Sequence, residues 1–163
     1  MNVTTEDDVS LREITDVNRA EVERLSVAPD QRNYVTSVSQ SLVDAAEEPN
    51  ARPWYRAVYW GEALVGFVMI ADGGSGEHTE YVGTHYLWRL LIDQRWQRRG
   101  LGRATLDLVV DHVRARPHAR TLLTSVSPGS EGSPMGFYLG YGFTPTGQVQ
   151  EDGEALLALP LTD

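Results

Sequence analysis

The stretch with the clearest chemistry is Arg95-Trp96-Gln97-Arg98-Arg99-Gly100-Leu101-Gly102-Arg103, which follows the apolar run Leu90-Leu91-Ile92. Two glycines one residue apart let the backbone turn its N–H groups toward a single point. A helix beginning there adds the positive end of its dipole. Arg98, Arg99 and Arg103 bring mobile positive charge to the same place. Such a turn suits a pyrophosphate. On its glycines and arginines alone, it could equally be an ordinary strand-to-helix turn with a solvated basic edge. The spacing differs from the dinucleotide fingerprint G-x-G-x-x-G, whose third glycine would fall on Thr105. Without a Gly-Lys-Ser/Thr sequence, a nucleoside triphosphate is not expected.

Composition sets the outer limits. At 163 residues with 41% hydrophobic content, the chain is expected to be a single globular domain with a core of its own. The absence of cysteine excludes disulfides, thiolate metal sites and a cysteine nucleophile. His78, His85, His112 and His118 show no metal-ligand spacing, so no metal is expected. No apolar run reaches the length of a membrane span, and the acidic start of the chain is no signal peptide; a cytoplasmic location is expected. The net charge of −9 disfavours nucleic acid and anionic membrane as partners and favours cationic small molecules. Against that acidic background, the arginine turn stands out.

The elements that must position this turn can be read in order. Residues 1–8 read as a frayed polar tail, and 9–14 alternate as a first strand. Thr15 or Asp16 can cap a helix to residue 25, with Val17, Val22 and Leu25 as its apolar positions. A second helix is predicted over 31–47, on Tyr34, Val35, Val38, Leu42 and Ala45. A hairpin follows, with arms 54–60 and 63–71 around Gly61-Glu62. Residues 86–92 form the strand feeding the arginine turn, and 101–116 form an amphipathic helix stopped by Pro117. A strand over 121–126 should lie parallel to 86–92, through a right-handed crossover. Ser133 and Pro134 open a short helix carrying Phe137-Tyr138, and strands over 143–149 and 155–161 close the chain. The expected class is α+β with a mixed sheet, in the order β-α-α-β-β-β-α-β-α-β-β.

The string Gln97-x-x-Gly100-x-Gly102, set between a strand and an amphipathic helix, resembles the acetyl-CoA-binding motif of the GNAT superfamily of N-acetyltransferases. The element order is the GNAT order, and the resemblance covers residues 11–161 within one domain spanning 1–163. Phe137-Tyr138-Leu139-Gly140-Tyr141-Gly142-Phe143 resembles the family's F-Y-x-x-x-G-F element. Val27-Ala28-Pro29-Asp30-Gln31, Gly66-Phe67-Val68-Met69, Tyr86-Leu87-Trp88-Arg89 and Pro145-Thr146-Gly147 look closest to the spermine/spermidine acetyltransferase-like branch of bacterial GNAT proteins.

The resemblance implies acetyl-CoA as the cofactor. Its pantetheine arm would pair with the backbone of Leu90, Leu91 and Ile92, in a gap where two parallel strands splay. Its phosphates would sit beside Gln97, Arg98, Arg99, Gly100, Leu101, Gly102 and Arg103. An asparagine often contacts the pantetheine in the family; Ser130 occupies that neighbourhood here. Tyr138 is the expected general acid, since a phenol of pKa about 10 holds a proton for the leaving thiolate at neutral pH. The glutamate that family members acting on ribosomal proteins carry on the following strand is replaced here by Thr124 or Ser125. The base is therefore expected from Glu80, His85, Glu131, Glu154 or an ordered water, with Glu80 assigned.

Gln31, Tyr34, Trp88 and Glu154 are the expected substrate contacts. Trp54 and Tyr55 are further candidates for aromatic walls around an organic cation, with Asp30 and Glu80 as acidic complements. The expected acceptor is a primary amine of a small cationic metabolite such as a polyamine. Alternatives are a protein N-terminus or lysine, an aminoglycoside-like antibiotic, or a non-catalytic acyl-CoA-binding module. The resemblance also makes a homodimer one possible assembly.

Overall fold

The computed structural model describes residues 8–32, 34–73, 85–117, 119–129 and 133–161. Glu80, Ser130 and Glu131 lie outside the described residues, as does most of the expected tail. The strands are β1 (Val9–Arg12), β2 (Pro53–Trp60), β3 (Ala63–Asp72), β4 (His85–Ile92), β5 (Thr121–Val126), β6 (Thr144–Val149) and β7 (Ala155–Pro160). The helices are α1 (Arg19–Glu23), α2 (Val38–Glu47), α3 (Leu101–Arg114) and α4 (Met135–Tyr141). The strands form a mixed sheet in the order β1-β2-β3-β4-β5-β7-β6. The expected α+β architecture and the expected element order are both present.

Each face of the sheet carries a core. On one face, α1 and α2 bring Val22, Val38, Leu42 and Ala45 onto Ala57, Phe67, Met69 and Leu91. On the other, α3 lays Leu106, Val109, Val110 and Val113 over Val58, Val68, Ile70 and Leu87. β3 is buried from Val65 to Asp72, because successive side chains enter opposite cores.

The expected pair of first helices is corrected. Val17, assigned to a helical core face, is 93% exposed. Asn18 Oδ1 accepts from the Thr15 amide at 2.8 Å and its Nδ2 donates to Glu13 O, so a side-chain turn occupies the residues where the helix was expected to begin. The helix over 31–47 is likewise broken. Pro29–Gln31 forms a 3-10 turn, and α2 starts only at Val38, with the Ser37 hydroxyl accepting from the Gln40 amide at 3.2 Å. Tyr34 and Val35 therefore sit on a connecting turn rather than on a helix face.

The central feature is the junction of β4 and β5. They are parallel, as expected, but their pairing is limited to His85–Leu122, Tyr86–Leu123 and Leu87–Thr124. At this fork the Thr124 hydroxyl donates to Leu87 O at 3.0 Å and caps the last rung. β4 continues to Ile92 against β3, while β5 continues to Val126 against β7, with which it is in register from Thr121 onward.

Candidate active site

The fork opens into a cavity of about 550 Å³, a size suited to a small ligand. Tyr86, Trp88, Arg89 and Leu90 line it from β4, Thr124, Ser125 and Val126 from β5, Ser127 from just past its end, and Tyr138 from α4. Tyr34, Val35 and Thr36 close one side; Glu48, Asp152 and Glu154 make the lining acidic. Arg89, the cation in the lining, is already paired with Asp44 at 2.7 Å, so the carboxylates dominate the local field. Among the described residues, Arg89 Nε is a buried donor without a hydrogen-bond partner.

The arginine turn lies beyond this lining, where β4 ends. Asp93 anchors it: the carboxylate is 2% exposed and accepts from the Ser26 amide at 3.0 Å and from Arg95 N and Nε at 3.0 and 2.8 Å. Burial alone would raise the Asp93 carboxyl, but these donors outweigh it and hold it below the usual carboxylate range. Arg98 and Gly100 both take left-handed backbone conformations, with φ of 66° and 79°. Gly100 is the N-cap of α3, where a side chain would be strained. Gly102 answers a different demand, because a Cβ there would meet the Phe137 ring at 3.1 Å. That close approach locks α4, and Tyr138 with it, against the first turn of α3.

Arg98, Arg99 and Arg103 are all exposed around this helix start. Arg99 packs over Trp96, and Arg103 packs over Tyr141, whose hydroxyl donates to Asp107 at 2.7 Å. The turn thus places exposed positive charge around the first residues of α3.

Tyr138 is 7% exposed, edge-on to Phe137 and Phe143. Burial, with a smaller contribution from Tyr86, pushes its phenol well above the ordinary tyrosine range, so it keeps its proton throughout the neutral and alkaline range. In the same lining, Tyr86 Oη is hydrogen-bonded to Ser125 Oγ, which donates to Glu154 Oε1 at 2.8 Å. Ser127 Oγ approaches Glu154 Oε2 at 3.5 Å.

Several expected site residues are placed together, and others are not. Tyr34, Trp88, Leu90, Tyr138 and Glu154 line the cavity. Leu91 points instead into the α2 core, so it offers only its backbone to a ligand. Gln31 does not reach the cavity: its Oε1 accepts from Gln97 Nε2 at 2.7 Å and braces the arginine turn, and Gln97 also donates to Ile92 O. His85 is buried against Asp72 at 3.1 Å, away from the lining, and so is no base for this cavity. Trp54 stacks on His112 at 4.0 Å and Tyr55 packs near Phe67, so neither is a cavity wall.

Tyr86 and Ser125 in the lining, and Asp93 below the turn, were not anticipated as site residues. An aspartate closing an apolar strand before a turn was a readable capping signal for Asp93. For Tyr86, strand alternation from Trp88 pointed to a shared face.

The fold is that of known acetyltransferases. AAC(6')-Ib in complex with paromomycin and acetyl-CoA superposes with a TM-score of 0.72 at 18% identity, covering 94% of each chain. The PaiA N-acetyltransferase from Thermoplasma acidophilum in complex with coenzyme A superposes with a TM-score of 0.62 at 13% identity, covering 94% of this chain and 99% of that one. In sequence, the spermine/spermidine N(1)-acetyltransferase of Bacillus subtilis (strain 168) is 27% identical over 153 residues, covering 94% of this chain and 99% of that protein. The acetyltransferase (GNAT) family model matches residues 33–143. The chain belongs to that family, and with it to the acetyl-CoA-dependent acetyltransferases.

Proposed function

We propose that the protein transfers the acetyl group of acetyl-CoA to a primary amine of a small organic cation of the polyamine type. One observation carries this reading: β4, which lines a cavity that is acidic and aromatic, runs on beyond the β4–β5 fork into the arginine turn that opens α3. The donor fits the chain at both ends. β4 beyond Leu87 has no ladder partner on β5, which leaves backbone groups around Leu90 for a pantetheine amide. The left-handed backbone at Arg98 and Gly100, the start of α3 and three exposed arginines suit its phosphates.

On the acceptor side, Glu48, Asp152 and Glu154 attract a cation, and Tyr34 and Trp88 offer aromatic faces to its alkyl chain. The amine is held at the fork between Tyr86 and Tyr138. Tyr138, protonated and largely shielded from water, gives its phenolic proton to the departing thiolate. Much of the acceleration would come from proximity, which can supply roughly 7–11 kcal/mol in a two-substrate reaction. The curated relative from Bacillus subtilis, named for spermine and spermidine, supports the polyamine class.

The donor half of this reading is tested by thermal denaturation with acetyl-CoA. Saturation at a hundredfold excess over Kd should stabilise the fold by about 2.7 kcal/mol. The Arg98→Ala/Arg99→Ala variant should show little of that shift at the same concentration and a weaker dependence of binding on salt. No stabilisation of the unsubstituted protein would overturn the assignment.

A further inference from the structure

The protein lacks a carboxylate on β5 beyond the fork, yet a carboxylate is present there in space. Ser125 pairs in register with Leu156 and Val126 with Ala155, so Glu154, just ahead of Ala155, reaches back over the end of β5. Ser125 and Ser127, two residues apart and on one face, both direct their hydroxyls to it. Tyr86 completes the line from the β4 side. Tyr86, Ser125, Ser127 and Glu154 all belong to the cavity lining, as does Tyr138, whose phenol feels Tyr86.

We propose that Tyr86, Ser125 and Glu154 form the route by which the acceptor amine loses its proton, with the base supplied from β7. This rests on the acetyl-transfer reading and adds to it a named proton acceptor and a path. The hydrogen bonds define a direction. Ser125 has a single hydrogen, and it is committed to Glu154, so within the Tyr86–Ser125 pair the phenol donates and the serine accepts. A phenol that donates in this way can accept an N–H at the same oxygen. An ammonium at the fork therefore meets a chain polarised toward a carboxylate.

The step balances. The ammonium N–H breaks as its proton passes to Tyr86 Oη; the Tyr86 proton moves to Ser125, and the Ser125 proton to Glu154. The free amine then attacks the thioester carbonyl, forming C–N and breaking C–S, while Tyr138 gives its proton to sulfur. The second amine proton restores Tyr138, and Glu154 returns its proton to water. The products are the amide, the free thiol and one released proton.

The test compares the wild-type protein with Tyr86→Phe, Ser125→Ala, Glu154→Gln and the double variant Ser125→Ala/Glu154→Gln, across pH 6 to 10 as a range of about four units, on the amine it acetylates best. All four should melt cooperatively and keep the stabilisation by acetyl-CoA. Each single variant should lose roughly 10²-fold in kcat at neutral pH, the lower end of the scale of acid–base assistance. The double variant should be no worse than the weaker single. The losses should shrink at high pH, and with an acceptor amine of low pKa that arrives already neutral. Additive losses, or a rise in KM with kcat and its pH profile untouched, would show Glu154 to be only an ammonium anchor and overturn the relay. If the wild-type protein acetylates no amine at all, the acetyl-transfer reading falls, and the relay with it.

Discussion

Tyr138→Phe is expected to lower kcat by about 10²–10³-fold, the range for loss of one positioned general acid, with the affinity for acetyl-CoA unchanged. The ring stays in place between Phe137 and Phe143, so the substitution removes the hydroxyl and little packing. The pH profile gives a second readout. Burial holds the phenol above its ordinary value, so the protonated form is present at every pH at which the protein works. The wild-type kcat should therefore show no alkaline fall from this group below pH of about 10, the ordinary tyrosine value. Stopped and steady-state thiol release against pH checks both points. An unchanged kcat in the variant would refute the assignment of Tyr138.

Asp72→Asn carries the largest expected loss of stability. Asp72 and His85 are almost fully buried at the end of β3 and the start of β4, where Asp72 Oδ1 meets His85 Nδ1 at 3.1 Å. Asp72 Oδ2 meets His112 Nε2 at 2.9 Å and Arg116 Nε at 3.0 Å. Removing the charge strands these partners, although Arg116 can swing into solvent, which lessens the penalty. A loss of about 2–4 kcal/mol is expected, or a Tm lower by roughly 6–12 °C.

The cluster also sets the response to acid. Desolvation is the leading influence on His85, and it holds the imidazole below its ordinary pKa of about 6.5. The unfolded chain then binds a proton that the folded chain refuses, so this contribution to stability falls as pH drops below about 6.5. Asp72 has its carboxyl lowered: burial opposes this, but Arg116 and His112 outweigh it. Its contribution is complete above its ordinary value near 3.9 and is lost as pH falls through the lowered folded value. Both groups therefore weaken the fold on acidification, His85 first. Asp72→Asn should remove the loss of Tm that comes from Asp72 below its ordinary value of about 3.9. It should also steepen the loss just below pH of about 6.5, because His85 no longer has the carboxylate that raises it against burial. A variant as stable as the wild type, with the same pH profile, would contradict this account of the cluster.

The sequence made legible those parts of the fold that depend on local pattern. Strand alternation, the 101–116 amphipathic pattern and the Gly100/Gly102 pair each have one dominant cause, and the elements formed accordingly. The first two helices went astray where side chains compete with the backbone. Asn18 takes up turn hydrogen bonds, and Ser37-x-x-Gln40 is a readable start signal that the longer apolar period concealed. The site was harder, because it is assembled from contacts distant in sequence. Glu154 reaches Ser125 only because β7 pairs beside β5, and Gln31 is diverted to Gln97 by a turn 66 residues away. Trp54 reads as an aromatic wall until α3 lays His112 on its ring.

The central claim is acetyl transfer to a small cationic amine at the β4–β5 fork. Thiol release from acetyl-CoA, followed over polyamines, aminoglycosides, amino acids and N-terminal or lysine peptides, tests it most directly. The account predicts the highest kcat/KM for linear polyamines, with a KM that rises with ionic strength as the acidic lining is screened. Faster turnover of a peptide or aminoglycoside would contradict the acceptor assignment, and binding of acetyl-CoA without turnover of any amine would contradict catalysis itself.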